Sequence, residues 1–283
     1  MGCCELGNVD RVKIRTALTT GASSGIGLAS VLELARRGFR SVGTVRSDAK
    51  AEIVAAAAAE TGLIVETALL DVTDADGCAQ VIDEYRPDAL INNAGYSITG
   101  SVEDVSDDEA LAALQTMVLA PMRLARLAVP VMRARDGGRI VNVSSVYGRT
   151  STPLTGWYQG AKQALEGLSD ALRMEVARDR IRVILIEPGG FHTGIWEATE
   201  REIAKRSSSR YDQAYRRTLA TTRLWQPMMG DPVRCAKVIG TALTTAWPRT
   251  RYLVGHDAQA LAVWSSLTPT EVKDRIIRFV MAL

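Results

Sequence analysis

The 283-residue sequence has little cysteine and almost no excess of charge of either sign. None of its cysteines forms a CxxC pair or has metal-ligand spacing, which argues against a zinc site and a disulfide scaffold and suits a reducing cytoplasm. The four are Cys3, Cys4, Cys78 and Cys235. Basic and acidic residues number 34 and 32, whereas a nucleic-acid-binding protein usually carries a larger basic excess. We therefore expect neither a metal nor a nucleic acid among its ligands.

Long hydrophobic runs are missing as well. No run approaches the roughly 18 uncharged residues of a membrane span, and the N-terminus has no basic-then-apolar leader. We therefore expect a cytoplasmic protein without stable membrane insertion. Residues 1–11 are predicted to form a flexible tail. Gly2 and Cys3 superficially resemble an acylated terminus, but Leu6 stands where the myristoylation pattern requires Ser or Thr.

Short apolar runs alternate with longer helix-like segments along most of the chain. The strand-like runs are residues 16–19, 41–45, 64–70, 89–91, 140–143, 183–186 and 252–254. The helix-like segments are residues 27–37, 49–60, 75–85, 108–132, 157–178 and 233–246. This alternation predicts a single α/β domain over residues 1–283, with a doubly wound parallel β-sheet of about seven strands and helices on both faces.

Two segments near the C-terminus depart from the alternation. Residues 194–230 are polar and rich in Arg and Ser, and we expect them to lie as an insertion over the C-terminal edge of the sheet. Residues 257–283 are predicted to form one or two amphipathic helices.

A glycine-rich turn follows the first predicted strand and opens the first predicted helix. Gly21 permits a tight bend, Gly25 lets the backbone approach a pyrophosphate, and Gly27 allows close packing of helix and strand. A phosphate would face the N–H groups at the helix N-terminus, where the helix dipole favours negative charge. The other residues expected to contact a nucleotide here are Ser23, Ser24 and Ile26. The alternative interpretation is a flexible Gly/Ser loop.

The TGxxxGxG spacing of this turn resembles that of the short-chain dehydrogenase/reductase family, in its single-domain branch. Four further motifs follow in the family's order: Leu70-Asp71-Val72, Asn92-Asn93-Ala94-Gly95, Ser145 with Tyr158 and Lys162, and Pro188-Gly189 with Thr193. With the turn they span about residues 12–193. The resemblance implies a Rossmann-type fold, a nicotinamide dinucleotide, a small-molecule alcohol or carbonyl substrate, and a homodimer or homotetramer.

The resemblance also implies which residues contact the nucleotide. Asp71 and Val72 match the segment beside the adenine ring, although Asp71 could instead be the N-cap of the next helix. The segment after the fourth strand lines the site, with cofactor contacts assigned to Asn92, Asn93, Ala94 and Gly95. The segment that holds the nicotinamide carboxamide contains Pro188, Gly189 and Thr193. His192 lies between them and is interpreted as an incidental loop histidine.

The end of the second strand indicates which nucleotide is preferred. Relatives that prefer NAD usually carry an acid where this chain has Val45, and Arg46 follows. An acid there would repel a 2′-phosphate, whereas a guanidinium can bind it with two hydrogen bonds. The sequence therefore predicts NADP(H) in preference to NAD(H). Alternatively, Arg46 is a solvated loop charge.

Tyr158 and Lys162 are four residues apart, so they share one helix face. A phenol has an ordinary pKa near 10, and a nearby ammonium favours the phenolate. We therefore expect Lys162 to lower the pKa of Tyr158 and to make it a general acid and base. By resemblance, Lys162 also binds the nicotinamide ribose. Ser145, rather than its neighbour Ser144, is expected to hydrogen-bond the substrate oxygen.

One position departs from the family pattern. Many relatives carry an Asn that relays protons through water to the lysine, and Met117 stands at that position here. Methionine has no hydrogen-bond donor and only a weak acceptor. We hypothesise an active enzyme with an altered relay.

The insertion at 194–230 corresponds to the family's variable lid over the substrate. Its aromatic residues could bound an apolar pocket: Trp196, Tyr211, Tyr215 and Trp225. Its basic residues could recruit an anion, or could form a solvated helix face. The long lid resembles that of members acting on hydroxysteroids, retinoids or other bulky apolar alcohols and ketones. Two alternatives stay open: a 3-oxoacyl-thioester reductase and a non-catalytic NADP-binding sensor.

Overall fold

A computed structural model describes residues 16–193, 195–206 and 208–283 of the chain. The predicted tail, with Cys3 and Cys4, lies outside these residues. Seven strands form one sheet in which every described pairing is parallel. They are β1 (Thr16–Thr20), β2 (Arg40–Val45), β3 (Glu66–Leu69), β4 (Ala89–Asn92), β5 (Gly138–Val143), β6 (Ile181–Pro188) and β7 (Arg251–Val254). Their order, β3-β2-β1-β4-β5-β6-β7, confirms the predicted doubly wound, Rossmann-type sheet.

Helices occupy the segments between the strands. They are α1 (Gly25–Arg36), α2 (Asp48–Glu60), α3 (Ala75–Tyr85), α4 (Asp107–Leu114), α5 (Ala120–Arg133), α6 (Gly156–Glu175), α7 (Ile195–Ala204), α8 (Asp212–Trp225), α9 (Pro232–Thr244), α10 (His256–Leu267) and α11 (Thr270–Met281). Short 3₁₀ turns follow β5, α6 and α8, at Val146–Gly148, Ala177–Asp179 and Gln226–Met228.

Each face of the sheet carries its own hydrophobic core. Successive strand residues point to opposite faces, so Leu18 packs with residues of α3 and α5 while its neighbour Ala17 packs with residues of α1 and α9. Because both faces are covered, the central strands are buried along their whole length. The edge strand β3 is only partly buried, and it is shorter than the predicted run of residues 64–70.

The long helix predicted at residues 108–132 contains an irregular turn. A π-helical turn, Gln115–Leu119, separates α4 from α5 and contains the buried Met117. In the described part of the chain, one stretch, Asp107–Arg133, is long and apolar enough to cross a membrane. Half of its most apolar 18-residue segment is buried within the fold. It packs against α3, α6 and the central strands, as a core helix does.

Residues of the predicted lid fold as α7 and α8, which are fixed to the segment after β4. The Tyr215 hydroxyl donates to Asp104 at 2.8 Å and accepts from the Ser101 N–H at 2.7 Å. Arg206, 7% exposed, pairs with Glu109 and Glu202. Tyr215 is therefore a core residue and not the pocket wall that the sequence suggested.

Most of the basic lid residues are paired with lid carboxylates. Lys205 pairs with Glu202, Arg216 with Asp212 and Arg223 with Glu200. These pairs favour the solvated-face interpretation over recruitment of an anion. The side chain of Trp196 lies outside the described residues.

Candidate active site

The predicted site residues converge at the C-terminal edge of the sheet. The glycine turn follows β1, Asn93 follows β4, Ser145 follows β5 and Gly189 follows β6. β1 and β4 are neighbours in the sheet, and the chain leaves them in opposite directions along it. Ligands of open α/β sheets bind at such a switch point.

The glycine turn has the geometry of an anion-binding loop. Gly21 and Gly25 adopt left-handed backbone conformations, with φ of +68° and +52°. A Cβ on Gly27 would come within 2.1 Å of the Gly21 carbonyl oxygen, so only glycine fits there. Helix α1 begins at Gly25, and the N-cap Ser24 makes no side-chain capping bond. The first-turn N–H groups therefore face outward without a side-chain acceptor, as binding of a pyrophosphate requires.

Asn93 holds this turn against β4. Its Nδ2 donates to the carbonyl oxygens of Thr20 and Gly21 at 3.0 and 3.2 Å. The N–H groups of Asn93 and Ala94 both donate to the Thr20 hydroxyl at 3.0 Å. Gly95 faces the Met117 side chain. The segment thus positions the glycine turn and lines the space beside it.

Asn92 requires a correction. Its buried Nδ2 donates to Asn142 Oδ1 at 2.8 Å and to the Pro121 carbonyl oxygen at 3.3 Å. Asn142 in turn donates to Ser169 of α6 at 2.8 Å. The predicted contact between Asn92 and a cofactor is therefore wrong for its side chain, which links β4 to its neighbours inside the fold.

The far end of the site carries one basic and one acidic group. Arg46 is exposed directly after β2 and has no ion pair among the described residues. The Asp71 carboxylate accepts hydrogen bonds from the N–H and the hydroxyl of Thr73. These bonds lower the pKa of Asp71, and the nearby charge of Arg46 lowers it further. Arg46 is thus free to contact an anionic ligand beside Asp71.

The alternative role of Asp71 as a helix N-cap is wrong. The N-cap of α3 is Asp74, whose side chain accepts from the Asp76 N–H at 3.0 Å. Val72 contributes its side chain to the core, where it is 7% exposed. Only its backbone therefore remains for a nucleotide.

Ser145, Tyr158 and Lys162 lie together. The Lys162 Nζ donates to the Val143 carbonyl oxygen at 2.8 Å and lies 5.8 Å from the centre of the Tyr158 ring. The Ser145 hydroxyl accepts from the Tyr147 N–H at 3.2 Å, and it lies close enough to the Tyr158 hydroxyl to lower the pKa of that phenol. Ser144 is buried, and its hydroxyl lies near Gly148 and Glu166. The geometry therefore favours Ser145 over Ser144.

Burial has the largest effect on the pKa values of Tyr158 and Lys162. It raises the pKa of Tyr158 to about 12, and the hydrogen bond with Ser145 offsets only part of this rise. Burial also lowers the pKa of Lys162 to about 8. In the protein alone, Lys162 is not among the groups that shift the pKa of Tyr158, and its ammonium donates to the Val143 carbonyl oxygen. The phenol is protonated at neutral pH and suited to donating a proton.

The loop after β6 reaches across to the glycine turn. A Cβ on Gly25 would lie 2.9 Å from the Thr193 methyl group, so the two segments touch. The Gly190 N–H donates to Asp257 of α10 at 2.6 Å. His192 is exposed, and its backbone bonds Gly230.

Two residues at the site were missed by sequence reasoning. Asp257 braces the loop after β6 from a distant helix, and no local motif marks it. Tyr147 lies edge-on to Tyr158, with ring centres 6.5 Å apart, and its aromatic character two residues after Ser145 was the only available signal.

Comparisons with known proteins agree with this geometry. A family model described as short chain dehydrogenase matches residues 15–204. The chain is 32% identical to the uncharacterized oxidoreductase YusZ of Bacillus subtilis, over 93% of this chain and 97% of that protein. It is 29% identical to human retinol dehydrogenase 5, over 93% and 87% respectively. A metagenomic short-chain oxidoreductase solved in complex with NADP superposes with a TM-score of 0.67, at 26% identity, over 85% of this chain and 96% of that one.

The close packing around Gly27 generates a stability prediction. Gly27→Ala should lower the free energy of unfolding by about 1–3 kcal/mol, because the added methyl group forces the turn away from α1. Denaturant unfolding measures this change. Gly167→Ala is the matched control, since nothing lies within 4 Å of its added Cβ on α6. It should stabilise the protein by about 0.5–1 kcal/mol, and equal effects of the two substitutions would contradict the packing argument.

Proposed function

This chain belongs to the short-chain dehydrogenase family, and we propose that within the family it is an NADP(H)-dependent enzyme that interconverts a bulky apolar alcohol with its ketone or aldehyde. Membership makes it an oxidoreductase that uses a nicotinamide dinucleotide and acts on CH–OH groups. The finer proposal is carried by Ser145, Tyr158 and Lys162, which meet at the sheet edge that also bears the glycine turn.

The glycine turn and its neighbours fit a dinucleotide, because Gly21, Gly25 and Gly27 carry no side chain at the N-terminus of α1. We propose that the residues which hold it are Gly21, Ser23, Ser24, Gly25, Ile26, Gly27, Arg46, Asp71, Val72, Asn93, Ala94, Gly95, Tyr158, Lys162, Pro188, Gly189 and Thr193. When bound, the nicotinamide exchanges a hydride with the substrate carbon. The protein supplies the proton and orients both reactants.

Three side chains have different roles in the proposed proton transfer. Tyr158 donates its proton to the carbonyl oxygen in reduction and takes it back in oxidation. Ser145 donates a hydrogen bond to the same oxygen and stabilises the charge that develops on it. Lys162, fixed by its bond to Val143, binds the ribose and supplies positive charge beside the phenol.

The lid borders a largely apolar cavity, whose lining residues do not include Ser145, Tyr158 or Lys162. A cavity of about 410 Å³ lies between the segment after β4, the loop before α6, the lid and the C-terminus, with Val102, Pro153, Leu154, Tyr211 and Leu283 among its lining residues. Human retinol dehydrogenase 5, similar over most of its length, is named for an apolar alcohol. A retinoid-like or steroid-like alcohol is therefore the substrate class that we propose.

We further propose that the protein is a cytoplasmic homodimer or homotetramer. Apolar side chains are exposed on α4, on the π turn and on α6: Leu111, Leu119, Leu168 and Met174. Contact with a second copy would cover them.

The first prediction concerns Tyr158. Tyr158→Phe should reduce kcat by about 10²–10⁴-fold, because the proton donor is lost, while NADPH still binds, with its dissociation constant raised less than about tenfold because the other proposed nucleotide contacts remain. NADPH absorbance with a panel of ketones and aldehydes measures the first quantity, and fluorescence titration measures the second. Nucleotide binding without turnover of any panel member by the wild-type protein would favour the sensor, and preference for 3-oxoacyl thioesters would favour that reductase.

Arg46 generates a prediction about nucleotide choice. Arg46→Asp should weaken NADP(H) binding by about 10²-fold or more, since a charge-assisted contact becomes a repulsion. NAD(H) binding should change less than about threefold. Lys50→Asp is the control, because it makes the same charge change on the exposed first turn of α2. Equal losses for both nucleotides in the Arg46 variant would refute the assignment.

Met117 generates a prediction about the relay. We propose that this position takes no part in proton transfer, because the buried thioether has no donor. Met117→Leu keeps the volume and should leave kcat and its solvent isotope effect within about twofold of the wild-type values. Met117→Asn introduces an amide and should change the isotope effect. A large change in the leucine variant would show that the sulfur matters.

A further inference from the structure

Helix α6 carries a second charged group directly behind the catalytic pair. Tyr158, Lys162, Glu166 and Asp170 follow each other at intervals of four residues, so they form one line along the helix. Glu166 is 7% exposed and Lys162 is 5% exposed, whereas Asp170 is accessible to solvent. A buried carboxylate thus lies one helical turn beyond the buried ammonium, and the proposed chemistry leaves it without a role.

Glu166 is the one carboxylate whose charge acts on Lys162 in the described part of the chain. The described hydrogen bond of Lys162 goes to the neutral Val143 carbonyl, and no ion pair within 4.0 Å is found for it in the described residues. Burial favours its uncharged form, and the attraction of Glu166 opposes this effect. Since charges interact strongly across a water-poor interior, even a carboxylate one turn away matters to the proton on Nζ.

Arg251 holds the Glu166 carboxylate, and Ser144 and Glu187 lie near it. Oε2 accepts from Arg251 of β7, from Nε at 3.2 Å and from Nη2 at 3.0 Å. Oε1 lies beside the Ser144 hydroxyl, beneath Gly148. Glu187 of β6 faces it from the sheet. Burial and Glu187 raise the pKa of Glu166, whereas Ser144 and Arg251 oppose that rise.

The arginine beside Glu166 is shared among three carboxylates. Arg251 also bonds Asp170 at 2.7 Å and Glu187 at 3.1 Å. Glu187 has a second partner in Arg149, at 2.6 Å, and Asp170 has one in Arg173, at 2.7 Å. Glu166 is the one of the three without a second arginine among the described ion pairs. Its charge is therefore the least compensated of the three, and it lies one helical turn from Lys162.

We propose that Glu166 is a positioning residue that keeps Lys162 in its ammonium form. The proposal rests on the function proposed above, in which Lys162 must be charged beside Tyr158. Many relatives support the lysine with an Asn at the position of Met117, and this chain lacks that amide. In the proposal, the polar support of Lys162 comes from Glu166 on the same helix and from Arg251, rather than from the helix that carries the π turn.

Direct titration of Lys162 tests this proposal without nucleotide or substrate. The chain has six lysines, so a ¹³C-lysine spectrum is simple, and the Lys162 signal is the one lost in Lys162→Met. In the wild-type protein this signal should titrate at a pKa of about 8. Glu166→Gln should lower that value by about one pH unit, because removal of the negative charge destabilises the ammonium.

Asp170→Asn is the matched control, because it also removes a carboxylate from Arg251 but lies two turns from Lys162. It should leave the Lys162 titration within about 0.3 pH unit of the wild type. Thermal unfolding confirms that each variant is folded. If Glu166→Gln does not fold, Glu166→Asp, which retains the charge at a greater distance, should give a shift of the same sign and smaller size.

The titration separates this proposal from the proposed function. An unchanged Lys162 titration in folded Glu166→Gln, or an equal shift in Asp170→Asn, overturns the role of Glu166 whatever reaction is catalysed. Where turnover is measurable, the high-pH limb of kcat/KM in Glu166→Gln should move to lower pH by the same amount. A shifted titration with an unmoved limb would overturn the functional part of the proposal.

Discussion

Helix α6 is tied to the end of β5 by the hydrogen bond that the Lys162 ammonium donates to the Val143 carbonyl oxygen, and the geometry of the site follows from that tie. It brings the helix face with Tyr158 against the strand end from which Ser145 projects. Asn142 adds a second link, since it joins Asn92 of β4 to Ser169 on the same helix. Both links are buried, and buried polar groups are costly when unpaired. The helix can therefore neither slide nor rotate without exposing these groups.

The same burial decides the resting protonation of the site. Desolvation disfavours both the phenolate and the ammonium, so it raises the pKa of Tyr158 and lowers that of Lys162. A simple ion-pair argument would give the opposite direction for each. The protein alone presents a neutral phenol. Charge in this region then depends on carboxylates held by arginines behind the helix, rather than on contact between Tyr158 and Lys162. A local i,i+4 spacing cannot reveal this balance, because it depends on depth below the surface.

Much of the fold could be predicted because its signals are local. Alternating apolar runs predict the seven strands, and Gly21, Gly25 and Gly27 predict a bend, an open cradle and a close approach, all of which depend on neighbouring residues. What could not be predicted depends on distant partners. Asp257 reaches the loop after β6 from α10, and Arg251 reaches Glu166 from β7. Asp71 and Asp74 are both plausible N-caps by sequence, and only the course of the backbone decides between them.

The lid and the catalytic edge meet in the segment between β4 and α4. On one side of this segment Asn93 holds the glycine turn and Gly95 faces Met117. On the other side, Ser101 and Asp104 bind Tyr215 of the lid, while Glu109 at the start of α4 binds Arg206. A change in lid position therefore acts on the segment that supports the nucleotide turn. Because these contacts are hydrogen bonds and ion pairs of low exposure, a displacement of α7 and α8 would break several polar contacts together. In the proposed function, this single stretch of chain connects the substrate lid to the nucleotide turn.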